Sequence, residues 1–481
     1  MNDFADEARY LRQRHAYPPA RRRDSAVVVL GGAGEPDLAR YLAAGAAAMG
    51  VPLAAADYHG DYARHWFLGP IPYMVEQVNA DTRYECLDAE PSPFEIAALL
   101  EGKGNAWIVV IANDPARARL ALSGLDGAGI RAPVLLAMTA KAGLVVDRSP
   151  SPDIALLRLA AFGGACVAAG PREMAIAAGG LVLNELTQGR ERADDDMARP
   201  RLVGAYCLRR PLRVADVADG EGLRSLVREI SQPPGPAASF HGRSLVIVGA
   251  GALANWAVIP MVMDGATRLR IHDGDPEVAA HNLNRQILLA RGVGRGAKVS
   301  VLTTELKEMA PDGTYEAVPD FVSEPEDATG LENADALVAM PDNDAARTVC
   351  GEAALAAHLT YATAGSSAVG AQAVLCRAGV SCYRCVSGRR EATHDAAAGD
   401  LAGEHSCSLA QEDSVVASNM VAAGLLVSEL REALAGRRTA NVRFCGDSAQ
   451  GNRLHRMINP SGPCTHSRLG LLNGLAGASP T

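Results

Sequence analysis

The chain has 481 residues, with 46 Lys and Arg against 55 Asp and Glu and a formal net charge of −9. That balance offers no general drive toward nucleic acid or an anionic membrane. A hydrophobic content of 48% is ample for packed cores. A length prior of roughly 150 residues per domain allows about three domains, but an internal repeat argues for two large ones.

The N-terminus, MNDFADEARY, is acidic and lacks an apolar core, so no signal peptide is expected. EARYLRQRHAYP follows and contains Arg12. Arg14 and Arg21 to Arg23 lie close by, so a solvated basic helix would also explain it. VVVLGGAG (27–34) reads as an apolar strand with a glycine turn behind it. WIVVIANDPARARLAL (107–122) reads as a strand and then a helix. AIAAGGLVLNELTQG (175–189) is a helix followed by a charged break and a strand, RLVGAYCLRRPLRV. GEGLRSLVREISQPPGPAASFHG (220–242) starts with a helical pattern and ends in a PPGP linker.

The second half starts with VIVGAGALA (246–254). Leu245 to Val248 suits a buried parallel strand. Gly249 and Gly251 allow a tight turn, and a helix opens at Ala252, where backbone N–H groups attract phosphate. Ala254 stands at the third small position of a dinucleotide fingerprint. Leu245 to Met263 is nearly long enough for a membrane span, but Gly249, Gly251, Asn255 and Pro260 interrupt it, and a strand plus helix explains it better. The next strand, RLRIHD, ends in Asp273, where a carboxylate suits ribose hydroxyls. NLNRQ (282–286) and Lys298 follow, the lysine thirteen residues after Arg285. Hydride transfer has no need for these cations. Nucleotidyl transfer does, because charge develops on phosphate oxygens in the transition state. ALVAMPDND is an apolar strand ending in Asp342 and Asn343. Asp342 suits magnesium near a triphosphate, or a helix N-cap before AARTVCGEAALAA.

Ten cysteines with little regular spacing do not form a disulfide framework. Cys382-Tyr-Arg-Cys385 is the exception, a CxxC that fits half a zinc knuckle or a redox pair. Cys350 and Cys376 lie in apolar runs and read as core, and Cys445 reads as a strand end. Cys407 precedes a helical segment beginning near Asp413, which would favour its thiolate. Cysteines are often buried small hydrophobes, but Glu404, His405, Ser406 and Ser408 argue against burial here.

Four segments of the first half recur in order in the second. VVVLGGAG matches VIVGAG, and WIVVIANDPARARLAL matches ALVAMPDNDAARTVC. AIAAGGLVLNELTQG matches MVAAGLLVSELREALAG (420–436), and a strand follows the charged break in both. After LAAADYHGD the first half has no NLNRQ, no lysine at the expected distance and no CxxC.

The region from about 241 to 467 resembles the ThiF/MoeB/HesA family, the adenylating fold of ubiquitin-activating enzymes. The matches are the turn at Gly249 to Ala254, HDGD, NLNRQ, Lys298, PDN at 341–343 with Arg347, and CYRC. The chain departs from the family at Ala252, where a turn glycine is expected, and by one extra residue between Asp273 and Asn282. The resemblance implies two Rossmann-like, doubly wound α/β adenylation domains forming a pseudodimer, with a zinc knuckle in the second. The expected layout is an inactive domain (1–215), a linker (216–240) and an active domain (241–481). It implies that ATP contacts fall on Gly249, Gly251, Ala252, Asp273, Asp275, Asn282, Arg285, Gln286, Lys298, Asp342 and Asn343, with Asp342 on magnesium. It implies a structural zinc on Cys382 and Cys385, closed by Cys464 and His466 in place of the family's second CxxC. Arg12 matches the arginine of an RYxRQ segment that reaches a partner's ATP, and an arginine there stabilises phosphate charge.

Cys407 stands where many members carry an acyl thioester, behind a 386–406 loop resembling their crossover loop. The implied reaction is adenylation of the C-terminal glycine of a ubiquitin-like β-grasp protein, then a thioester on Cys407, then transfer to a conjugating enzyme. The inactive–active order resembles activating enzymes of bacterial ubiquitin-like conjugation operons. The alternatives are sulfur-carrier adenylation, peptide adenylation and a non-catalytic scaffold with a relic nucleotide site. ATP chemistry and free thiols make a cytoplasmic location the default, either as a pseudodimeric monomer or as a homodimer.

Overall fold

Short apolar runs at Ser25–Leu30 and Ser244–Val248 each found a sheet, because strands covered on both faces need side chains that cost nothing to bury. The structure is a computed structural model. It describes residues 25–32, 35–56, 78–79, 84–87, 91–163, 166–188, 201–212, 219–233, 235, 239–368, 370–377, 381–383, 415–437, 440–447 and 451–458.

The first half runs β1 (Ser25–Leu30), α1 (Pro36–Met49), β2 (Leu53–Ala56), β3 (Tyr84–Leu87), α2 (Pro93–Leu100), β4 (Asn105–Ile111), α3 (Pro115–Gly127), β5 (Val134–Ala140), β6 (Gly143–Ser149), α4 (Pro152–Leu159), α5 (Arg172–Gln188) and β7 (Arg201–Cys207). Its sheet order is β3-β2-β1-β4-β5-β6-β7. β3 to β5 are parallel, and β6 and β7 are antiparallel additions. α6 (Gly220–Ser231) follows. Asp219 caps it by accepting from the Gly222 N–H at 2.7 Å. Its apolar stripe, Leu223, Leu226, Val227 and Ile230, is buried in the first half's core. The stretch expected to link the halves therefore begins as a packed helix.

The second half runs β8 (Ser244–Val248), α7 (Ala252–Met263), β9 (Arg268–His272), α8 (Lys298–Met309), β10 (Thr314–Val318), β11 (Ala336–Ala339), α9 (Asp344–Ala356), β12 (Thr360–Ser366), β13 (Gly370–Cys376), α10 (Val416–Leu434), β14 (Ala440–Asp447) and β15 (Gly451–Ile458). Its order, β10-β9-β8-β11-β12-β13-β14-β15, repeats the first and adds an edge strand. β10 to β12 are parallel, and β13 to β15 are antiparallel. In both sheets the chain leaves the founding strand to one side and returns on the other. The crevice between β8 and β11, like that between β1 and β4, is thus a topological switch point, where open α/β sheets bind ligands.

The halves meet through α5 and α10. A Cβ on Gly180 would lie 2.6 Å from the Ala417 carbonyl oxygen, and one on Gly424 would lie 2.4 Å from that of Glu173. Only hydrogen at these positions lets the helices approach so closely. Arg431 seals the contact. It donates to both Glu173 oxygens at 2.7 and 3.1 Å and to Asp264 at 2.5 Å, with its guanidinium 4.7 Å from the Phe240 ring centre. Tyr206 of β7 donates to Glu429 of α10 at 2.5 Å. One hydrophobic cluster runs through both halves. Among the described residues, no helix is long and apolar enough to cross a membrane.

Candidate active site

The site sits at the carboxyl ends of β8, β9 and β11. Gly249 has φ +98°, and a Cβ there would lie 2.8 Å from the Met340 carbonyl oxygen, so this position needs glycine on both counts. Its N–H donates to the His272 carbonyl at 2.7 Å, which ties the turn to β9. Gly251 is the N-cap of α7, with no side-chain cap, and a Cβ there would meet nothing within 4 Å. The helix opens without a side-chain cap, and the N–H groups of such a helix start fit phosphate.

Asp273 closes the other side. One of its carboxylate oxygens accepts the Ala250 N–H at 2.6 Å, and the other accepts the Asp275 N–H at 2.9 Å. Burial pushes its pKa above the usual carboxylate value, while the two backbone donors pull it back. Asp275 then holds Lys298. The Lys298 ammonium pairs with the Asp275 carboxylate, and the Lys298 N–H donates to the Asp275 carbonyl at 3.1 Å. Lys298 is the first residue of α8.

NLNRQ is buried, with Asn282, Asn284, Arg285 and Gln286 all at 3% exposure or less. Arg285 donates to the His281 carbonyl at 3.0 Å and to the Asn284 side chain at 2.7 Å. Asn284 Nδ2 and Gln286 Oε1 are buried and lack a hydrogen-bond partner among the described residues. Such atoms are costly unless a ligand or water meets them.

Asp342 follows β11 and is exposed, with the Asn343 amide donating to it at 3.3 Å. The N-cap of α9 is Asn343, which accepts the Ala346 N–H at 2.8 Å, so the capping alternative for Asp342 is corrected. Asn343 satisfies the helix and leaves the Asp342 carboxylate outside it. Arg347 donates to the Pro341 carbonyl at 3.0 Å and fixes the turn that carries Asp342.

Three supporting residues escaped the sequence reading. Asn255, the one polar side chain within α7's apolar run, donates to the Ala250 and Gly251 carbonyls at 3.1 and 2.9 Å and accepts the Leu288 N–H at 2.9 Å. Trp256 donates to the Arg285 carbonyl at 3.1 Å. A buried polar group inside an apolar helix was the available signal. Phe321 left no signal. Its ring occupies the space a side chain on Gly274 would fill, 2.3 Å from the ideal Cβ position, and stays 65% exposed beside Asp273.

Cys382 is buried and is not part of a disulfide, and Cys350 and Cys376 are core, as expected. Among the described residues, no group of three or more His, Cys, Asp or Glu is placed to hold a metal. Arg12, Cys385, Cys407, Cys464 and His466 lie outside the described residues.

A glycine turn, an acid after the next strand and a lysine at the switch point of a mostly parallel sheet define a Rossmann-like nucleotide-binding domain. Residues 238–462 match the ThiF family, and this part of the chain is a ThiF-family domain. Crystal structures of E. coli MccB are similar to part of this chain. With MccA-N7isoASN bound, identity is 18%, coverage is 46% of this chain and 66% of that one, and the TM-score is 0.39. With ATP the values are 18%, 47%, 65% and 0.38. The microcin C7 biosynthetic enzyme MccB in complex with N-formylated MccA gives 16%, 46%, 66% and 0.38. The chain spans just under two thirds of the length of these structures. No curated protein matches it.

Proposed function

We propose that the chain is an ATP-dependent activating enzyme whose second half adenylates the C-terminal glycine of a ubiquitin-like β-grasp protein. The carrying observation is Lys298, held by Asp275, whose N–H is bonded by the same Asp273 carboxylate that accepts the Ala250 N–H of the glycine turn. ATP supplies the α-phosphate that the glycine carboxylate attacks, with pyrophosphate leaving. The α7 N-terminus and Gly251 cradle phosphate, Asp273 takes the ribose, and Lys298 and Arg285 spread phosphate charge. Asp342 holds magnesium. Phe321 offers a ring face beside the ribose acid on which a purine base can stack. Arg12 adds a cation from the first half, which serves as the inactive member of a pseudodimer.

Cys407 then attacks the acyl-adenylate, AMP leaves, and a thioester forms that a conjugating enzyme accepts. Cys382, Cys385, Cys464 and His466 form a thiolate and imidazole set whose chemistry suits structural zinc. About one zinc per chain by elemental analysis is the expected result, and less than about half would remove that assignment.

The test combines the purified protein with ATP, magnesium and small β-grasp proteins ending in glycine, read by non-reducing mass spectrometry with Cys407→Ala alongside. A thiol-sensitive adduct lost in the variant supports the full reading. Pyrophosphate release without an adduct moves the assignment to sulfur-carrier or peptide adenylation. Neither signal returns it to a non-catalytic scaffold.

A further inference from the structure

The first half repeats the nucleotide device and then fills it. Gly31 has φ +77°, and a Cβ there would lie 2.7 Å from the Ile111 carbonyl oxygen. This matches Gly249 against Met340. Counting on from these two carbonyls, Asn113 stands at the place of Asp342. Asp114 stands at that of Asn343, and it too is an N-cap, that of α3.

From there the halves diverge. Asp342 is exposed, but Asn113 is 1% exposed and fully used. Its amide donates to the Thr139 carbonyl at 2.8 Å and the Val167 carbonyl at 3.3 Å. Its side-chain oxygen accepts the Thr139 N–H at 3.3 Å. The Val167 N–H donates back to the Asn113 carbonyl at 2.8 Å. Thr139 continues the chain of bonds, its hydroxyl donating to Glu35 at 2.7 Å and accepting the Gly170 N–H at 3.1 Å. Glu35 is the N-cap residue of α1 and is 1% exposed, so a carboxyl group stands buried next to the glycine turn. Residues 166–170 lie over these groups, with Gly170 so close that a Cβ would sit 2.7 Å from the Ala140 carbonyl oxygen.

We propose that Glu35, Asn113 and Thr139 form a self-contained polar plug in the first half's nucleotide crevice, strapped down by residues 166–170, so that the chain binds one nucleotide, in its second half. The plug is argued from the first half's own bonds, and the count of one rests on the function proposed above. The plug meets its own hydrogen-bonding needs, so a nucleotide would have to break buried bonds to enter and would leave unpaired groups behind. The first half is thereby committed to packing against α10.

The experiment is hydrogen exchange read at single amides, first without and then with ATP and magnesium. Without nucleotide, the Gly170 amide should exchange slowly. Thr139→Val, which removes the hydroxyl that accepts this N–H and that bonds Glu35, should speed it roughly tenfold while Val109 and Ile111 stay unchanged. If that variant fails to fold, Glu35→Gln, combined with Thr139→Ser, tests the same bond with the hydroxyl kept: Gly170 should stay slow. Exchange of Gly170 at the open-chain rate in the wild type would overturn the plug. With nucleotide, protection should appear at 246–256 and 273–298 only. Protection at 26–40 or 105–115 would overturn the single-site inference. Protection nowhere would overturn the nucleotide function instead, and the first arm still decides the plug.

Discussion

Lys298 and Asp275 hold each other twice, once through the ammonium and carboxylate and once through the Lys298 N–H and the Asp275 carbonyl at 3.1 Å. The backbone bond places the first turn of α8, and the ion pair aims the side chain back toward Asp273 and the glycine turn. A triphosphate would compete with Asp275 for the ammonium without any need to move the helix. Lys298→Ala should therefore lower ATP–pyrophosphate exchange about 100-fold or more, the usual loss when one donor to developing oxyanion charge is removed, with circular dichroism unchanged. Full exchange in the variant would strip Lys298 of its role.

Asp342 and Asn343 are neighbours with separable tasks. Asn343 caps α9, so Asn343→Ala should cost about 1 kcal/mol of stability. Asp342 is exposed and is not the N-cap of α9, so Asp342→Asn should leave the melting temperature nearly unchanged. It should abolish magnesium-dependent exchange. Denaturant titration alongside the exchange assay checks both, and the reverse pattern would reassign Asp342 to structure.

The glycine turn, Asp273 and Lys298 were legible because each is tied to local chain geometry: a positive φ, a strand end, a helix start. The repeat was legible for the same reason, since strand and turn patterns recur in the same order in both sheets. The partners of these groups were not. That Asp273 would accept the Ala250 N–H, or Lys298 face Asp275, depends on how two loops converge over the sheet. The single strand expected after the second charged break is two antiparallel strands, β14 and β15, because pairing and direction are set by partners and not by composition. Phe321 was invisible, since a lone aromatic after a strand usually signals core, and this one lies outside it.

Phe321 buries little of itself, so its loss should cost little stability. If a purine stacks on its face, Phe321→Ala forfeits on the order of 1–3 kcal/mol of base stacking. The KM for ATP should then rise roughly tenfold with kcat nearly kept, and Phe321→Trp should restore it. Steady-state kinetics in ATP separates this from a folding defect, which would lower the active fraction without moving KM.

Glu35 gives the plug a measurable pH signature. Burial raises its pKa from the ordinary 4.5 to about 7, helped by Asp37 and opposed by the Thr139 hydroxyl, the Gly170 N–H and Arg172. The folded state therefore holds this proton more tightly than the unfolded chain. The group favours folding fully below pH 4.5, loses that contribution as pH rises toward 7, and stays unfavourable above it. Glu35→Gln keeps the shape and the acceptor for Thr139 but removes the charge. It should match the wild type near pH 4 and be more stable at pH 8 by roughly 3 kcal/mol, the worth of such a shift. Urea midpoints at the two pH values read this directly. Equal stability of the two proteins at pH 8 would mean that the Glu35 carboxylate is not desolvated in the folded chain.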